Sequence, residues 1–321
     1  MQAAIDPQLQ QVLRDVAAVE ADSRNWKLPE PERRRLVSEL SAQRMPARRI
    51  AGMRRTDACV GGPGREIPLR LYRSARAPER PRLMPYFHGG GWVVGSIATH
   101  DTLCAELAER TGYLVASVHY RRAPENPHPA PHQDCWDAMG WLLRHAAQLG
   151  ADGARPMALG GDSAGAHLAL GCALRAEREA PGRVDRMLLF YPALDPDLAS
   201  PSVGAHGDGP GLTRAAMQYY WQALLGGAAP AQADPLALPL QWPAAQRLPA
   251  AVLVTAETDL LRDEGEAYAR RLAAAGARVA HWRAAGMIHG FARMLAASTA
   301  ARRHVHRACR ELVGLVPDGG R

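Results

Sequence analysis

The chain has 321 residues, of which 47 % are hydrophobic and 22 % charged, with 30 glycines and 25 prolines. This composition fits one large globular domain, with or without a small accessory piece, and excludes a disordered, collagenous or low-complexity chain. No apolar run reaches the roughly 18 residues needed to cross a bilayer, since Arg, Pro or Gly interrupts each long stretch.

The formal charge of +7 comes from scattered arginines, Lys27 being the only lysine. The densest cluster, Arg33-Arg34-Arg35, lies in a helical pattern beside Glu30, Glu32 and Glu39. It reads as a solvated helix face, so no nucleic-acid partner is expected. The opening residues Met1-Gln-Ala-Ala-Ile-Asp-Pro lack the basic and apolar regions of a secretory signal, which predicts a cytoplasmic location. Cys59, Cys104, Cys135, Cys172 and Cys309 show no CxxC spacing and read as small buried apolar groups, with no metal site.

In chain order, Asp6 caps a predicted helix over about 7–22, with Pro7 at its first position and Leu9, Val12, Leu13, Val16 and Val19 at helical spacing. Pro29 and Pro31 open a second helix. Residues 53–60 and 65–73 read as strands joined by the turn signal Gly61-Gly-Pro-Gly64. Strand-like runs then follow at about 82–87, 113–119, 156–160, 184–191, 250–256 and 277–283. Helical patterns alternate with them at about 99–111, 133–149, 164–179, 213–225, 263–275 and 290–313. This βα alternation predicts an α/β fold, a mostly parallel sheet covered by helices on both faces. The Gly-, Pro-, Asp- and Ser-rich stretch 195–212 and the helix after it read as an excursion above the sheet, at about 195–225.

Gly161-Asp162-Ser163-Ala164-Gly165 sits where a strand meets a helix. Small residues around a serine there permit a strained turn that lifts the hydroxyl above the sheet, beside the N–H groups of a helix start. His88-Gly89-Gly90-Gly91-Trp92 follows another strand, and its glycines allow backbone N–H groups to approach an oxyanion. A serine nucleophile needs a base, and the base needs a carboxylate. Asp259 and His289 each follow a later strand, giving the order Ser, Asp, His; Asp263 is the rival acid to Asp259, with Glu257 and Glu264 less favoured. His88 reads as a shaper of its loop. His128 and His132 are read as kept apart by Pro127, Pro129 and Pro131, and His304 and His306 as facing different sides of a helix.

Together, His88-Gly-Gly-Gly-Trp92, Gly161-Asp-Ser-Ala-Gly165, Asp259-Leu-Leu-Arg-Asp-Glu264 and His289-Gly-Phe291 resemble the hormone-sensitive-lipase-like branch of α/β-hydrolases, the bacterial family IV esterases. Tyr120-Arg-Arg-Ala-Pro-Glu125 and Tyr191-Pro-Ala-Leu-Asp195 extend the likeness, which runs from about 82 to 291. The resemblance implies a cofactor-free carboxylesterase acting on a small-molecule ester, with Ser163 as nucleophile, His289 as base and Asp259 as its orienter. It further implies an oxyanion hole from Gly90, Gly91 and Ala164, supported by His88, Gly89, Trp92 and Asp162. Residues 1–50 correspond to a helical cap over a catalytic domain at 51–321, and a homodimer through the last strand is expected. Met217, Tyr220 and Trp221 are candidate pocket residues. The chain departs from the family pattern at Leu260, usually Pro, and at Asn126 and His128, usually His and Phe. The alternatives in view are an amidase or deacetylase on the same triad and a non-catalytic ligand receptor.

Overall fold

The computed structural model describes residues 4–62, 65–229, 234–242 and 248–315. Two helices come first, α1 (Pro7–Ser23) and α2 (Glu30–Arg44). The strands are β1 (Arg54–Gly62), β2 (Arg65–Arg73), β3 (Leu83–Phe87), β4 (Leu114–Val118), β5 (Met157–Asp162), β6 (Val184–Phe190), β7 (Ala250–Thr258) and β8 (Val279–Ile288). Between and after them lie α3 (Asp101–Thr111), α4 (Ala130–Arg144), α5 (Ala164–Glu179), α6 (Pro201–His206), α7 (Arg214–Leu225), α8 (Arg262–Ala274) and α9 (Thr299–Gly314).

The strands form one sheet in the order β1-β2-β4-β3-β5-β6-β7-β8. β1 and β2 pair antiparallel, as do β2 and β4, and the remaining neighbours run parallel. The turn predicted between β1 and β2 lies partly outside the described residues, at 63–64. Alternation along each central strand sends side chains to opposite faces. Leu83 and Phe87 of β3, Met187 and Leu189 of β6 and Leu253 of β7 join a core with α4, α5 and α8. Met84 and Tyr86, Leu188 and Phe190, and Val252 and Val254 join another with α3 and α9. These strands are therefore apolar at both parities, the pattern of a doubly covered sheet.

Asp6 caps α1 as predicted, its carboxylate accepting from the N–H of Gln8 at 2.8 Å and of Leu9 at 3.3 Å. Leu9 and Val12 enter the second core cluster, so α1 is anchored to the sheet domain by burial.

Four readings are corrected. The helix predicted over 290–313 is split, because Phe291–Met294 forms a short 3₁₀ turn and α9 starts only at Thr299, where Ser298 accepts from the Ala301 N–H. Cys59 is exposed on β1, an edge strand, while the other four cysteines are buried. The arginine cluster is not a solvated face. Arg35 donates to the carbonyls of Val93 (2.9 Å) and Ala123 (3.0 Å) and to Glu125, while Arg34 pairs with Glu30 and lies over the Tyr219 ring. Finally, His128 and His132 do meet, with their Nδ1 atoms 3.1 Å apart. The prolines start α4 at Ala130 rather than preventing a helix, and they fold His128 back over its first turn.

Leu9→Ala leaves a void in a fully buried site and should lower unfolding free energy by about 2–4 kcal/mol. Urea denaturation measures it; a loss under about 1 kcal/mol would mean that α1 does not share the core.

Candidate active site

The C-terminal ends of the parallel strands gather the chemistry-bearing residues, as parallel sheets commonly arrange. β5 passes directly into α5 through Ser163, which adopts φ 55° and ψ −121°. A left-handed φ at a non-glycine residue is strained, and its surroundings hold it there. The small neighbours are required sterically: a Cβ on Gly165 would lie 1.9 Å from the Phe87 carbonyl oxygen, and one on Gly161 2.3 Å from Gly165 backbone. Strand, turn and helix therefore pack too closely for any side chain at either position.

β7 and β8 bring the other two groups together. Thr258 and Ile288 are register partners, so the next residues, Asp259 and His289, stand side by side. The sequence reading ended the last strand at 283; the strand continues to Ile288 past an irregularity between Ala256 and Thr258. There the Gly286 N–H donates to the Glu257 carboxylate at 2.7 Å. His289 Nδ1 lies 2.8 Å from Asp259 Oδ2, and its Nε2 lies 2.9 Å from Ser163 Oγ. With its proton on Nδ1, donated to Asp259, the imidazole presents a lone pair to the Ser163 hydroxyl. The second Asp259 oxygen accepts from the Leu261 N–H at 2.9 Å.

The rival acids have other partners. Asp263 accepts from the Ser202 N–H at 2.8 Å and from Arg262. Glu264 is buried and accepts from the Leu194 N–H at 2.7 Å; burial pushes its carboxyl well above the usual range.

Asp162 ties the serine turn to the glycine loop. Its Oδ1 accepts from the Tyr86 hydroxyl at 2.8 Å and from the Gly89 N–H at 3.0 Å, and His100 Nε2 lies 3.3 Å from Oδ2. Burial alone would raise this carboxyl, but His100 and Tyr86 outweigh it and hold it down at about 2. In the loop, Gly90 and Gly91 take φ 121° and 57°. The Tyr220 ring rests on Gly91, where a Cβ would lie 2.2 Å from it. His88 is wholly buried; Nδ1 bonds the Gly89 carbonyl at 2.9 Å, and its ring stacks on Tyr120.

The cleft above these groups has a volume of about 420 Å³, within the range of small-molecule sites. Met217 and Tyr220 line it with Leu13 and Val16 of α1, but Trp221 does not. Trp221 faces inward instead, its ring 4.5 Å from that of Trp92. Among the described residues no group of three or more His, Cys, Asp or Glu is disposed to hold a metal.

Sequence reasoning missed His100, His167 and Arg293, and took the α2 arginines for a solvated face. His167, one turn along α5 from Ser163, accepts from Trp92 Nε1 at 3.2 Å through Nδ1 and donates through Nε2 to the Ala237 carbonyl at 2.9 Å. Its spacing of four from the serine was the available signal. Burial lowers His167 to about 4, against about 6.5 for an ordinary histidine. The unfolded chain therefore binds the extra proton first. Stability held above pH about 6.5 is lost as pH falls toward about 4. His167→Gln, which can keep both bonds without titrating, should flatten that fall. Urea unfolding at several pH values measures it; identical slopes for both proteins would contradict the assignment.

A family model described as the alpha/beta hydrolase fold matches residues 84–293. The chain is 37 % identical over 241 residues to the carboxylic ester hydrolase LipN of Mycobacterium tuberculosis, a match covering 74 % of this chain and 64 % of that relative, just under two thirds of its length. It is 39 % identical over 239 residues to the ethyl acetate hydrolase of Pseudomonas putida, covering 72 % of this chain and 73 % of the relative. Among solved structures, the hyperthermophilic esterase from Pyrobaculum calidifontis superposes with a TM-score of 0.84 at 32 % identity, over 97 % of this chain and 99 % of that one. An eight-stranded, mostly parallel sheet with this strand order, the matched family model and these relatives agree: the chain belongs to the α/β-hydrolase fold family, in its hormone-sensitive-lipase-like, family IV branch.

Proposed function

We propose that the chain is a serine carboxylesterase that cleaves short-to-medium acyl esters through an acyl-enzyme on Ser163. The observation that carries this reading is the continuous hydrogen-bonded line from Ser163 Oγ through His289 to Asp259, at 2.9 and 2.8 Å. The esterase and ester-hydrolase names of the relatives support the same reaction class.

In the proposed cycle, Ser163 Oγ attacks the ester carbonyl while His289 Nε2 takes its proton. The carbonyl oxygen becomes an oxyanion, and the N–H groups of Gly90, Gly91 and Ala164 stabilise it. Ala164 opens α5, and the first N–H groups of a helix have no partner within it. His289 returns the proton to the departing alkoxide, and the alcohol leaves. Water then attacks the acyl-enzyme with His289 again as base, releasing the acid and restoring Ser163. Asp259 fixes the imidazole's tautomer and balances its transient positive charge. Asp162 and His88 hold the glycine loop.

Residues 1–50 act in this reading as a cap over the catalytic domain, with help from α6 and α7 in the 195–225 excursion. The lining of the cleft by Leu13, Val16, Val37, Met217 and Tyr220 supports this division. β8 is the edge of the sheet, and pairing with a second copy along it would cover that edge. No described helix is long and apolar enough to cross a membrane.

Ser163→Ala should lower kcat on p-nitrophenyl acetate by at least about 10⁴-fold, and Asp259→Asn by about 10⁴-fold. Wild-type turnover by Ser163→Ala would sink the reading.

A further inference from the structure

One wall of the cleft is built from a single stripe of α2, since Arg34, Val37, Ser38 and Ser41 recur at helical spacing and all line it. Three of the four are polar. Ser41 is only 7 % exposed, yet its hydroxyl has no hydrogen-bond partner among the described residues. Arg33 and Arg34 share one carboxylate, Glu30, so that trio keeps a net positive charge.

Arg293 lines the same cleft, four residues after His289. A Cβ on Gly290 would lie 3.9 Å from two of its guanidinium nitrogens, which places the head beside the residue that follows His289. The side chain is half-buried, and its guanidinium makes no ion pair or hydrogen bond to a described residue. Its charge is felt at the Asp162 carboxyl: burial raises that group, His100 and Tyr86 draw it down, and Arg293 adds to that downward pull.

Two acids line the cleft. Asp162 is taken up by Tyr86, Gly89 and His100. Glu20 is exposed, as is Arg24, and the two offset each other in charge. A half-buried guanidinium that no carboxylate among the described residues hydrogen-bonds, in a cleft shaped for a small molecule, is matched by an anion that arrives with the substrate. A planar carboxylate suits its forked donors.

We propose that the cleft contains a carboxylate subsite, anchored by Arg293 and supported by Arg34 and Ser41, and that the preferred substrates are esters bearing a second, ionised carboxyl group. This rests on the esterase reading above. The carboxylate can sit on the acyl or on the alcohol portion, and matched pairs separate the two. Monoethyl succinate against ethyl succinamate tests the acyl side; acetoxyacetate against acetoxyacetamide tests the alcohol side.

For the full-length protein, kcat/KM for the anionic member of at least one pair should exceed that of its neutral amide by tenfold or more. That ratio should shrink with added KCl and drop at least tenfold in Arg293→Gln, with Arg293→Lys retaining part of it. Equal or reversed preference in both pairs, or a ratio unmoved in Arg293→Gln, overturns the subsite. Should Arg293→Gln fail to fold, wild-type inhibition decides. Succinate should compete with p-nitrophenyl acetate where succinamide does not, and equal inhibition by both refutes the proposal. Ser163-dependent turnover of p-nitrophenyl acetate without an anionic preference leaves the esterase reading standing and removes the subsite alone. No turnover of any ester removes both.

Discussion

The turn at Ser163 is the constraint on which the rest of the site depends. β5 and α5 approach so closely there that no side chain fits at Gly161 or Gly165, and the serine is left at φ 55° between them. Strain of this kind persists only where packing over-determines it. Here the packing is the buried sheet: β5 is covered on both faces, and the Ser163 N–H is held by the Phe190 carbonyl at 2.9 Å. Because the turn is fixed, Asp162 can reach sideways to the glycine loop and His167 can reach Trp92 beyond it. Both ends of the glycine loop thus take their positions from one junction.

Much of this is visible in the sequence because local rules and global fold agree along the central strands. Apolar residues at both parities announce strands covered on two faces, and the small residues around Ser163 announce a tight turn. The Asp6-Pro7 cap marks the start of α1 to the residue. Asp259 and His289 are legible by order, although their adjacency comes from strand register, which a single strand does not carry. The misplaced end of β8 has the same origin. Ala284-Ala-Gly-Met-Ile288 lacks a clean alternation, and its pairing is sustained by Glu257 accepting the Gly286 N–H from across the irregularity.

The arginines of α2 were misread for a different reason. On the sequence, three basic residues flanked by acids look like a solvated face, because i, i+3 and i, i+4 partners are available locally. Glu30 does take Arg33 and Arg34. Arg35, however, finds two loop carbonyls and Glu125 far along the chain, contacts that only tertiary structure supplies. The result is that α2 is fastened to the segment that follows the glycine loop, with its polar stripe lining the cleft. Trp221 is the converse case: an aromatic residue expected in the pocket that instead packs beneath it, against Trp92. The groups that line the cleft thus depend on long-range contacts for their placement, while Ser163, Asp259 and His289 follow strand ends that local pattern reveals.

The central claim is that Ser163 is a nucleophile activated by His289, and covalent trapping tests it most directly. The full-length protein is treated with the organophosphate paraoxon, and the adduct is located by peptide mass spectrometry while residual activity on p-nitrophenyl acetate is followed. One diethylphosphoryl group on the peptide containing Ser163, accumulating in step with loss of activity, is the result expected. Modification at another residue, or complete inhibition with Ser163 unmodified, would contradict the account.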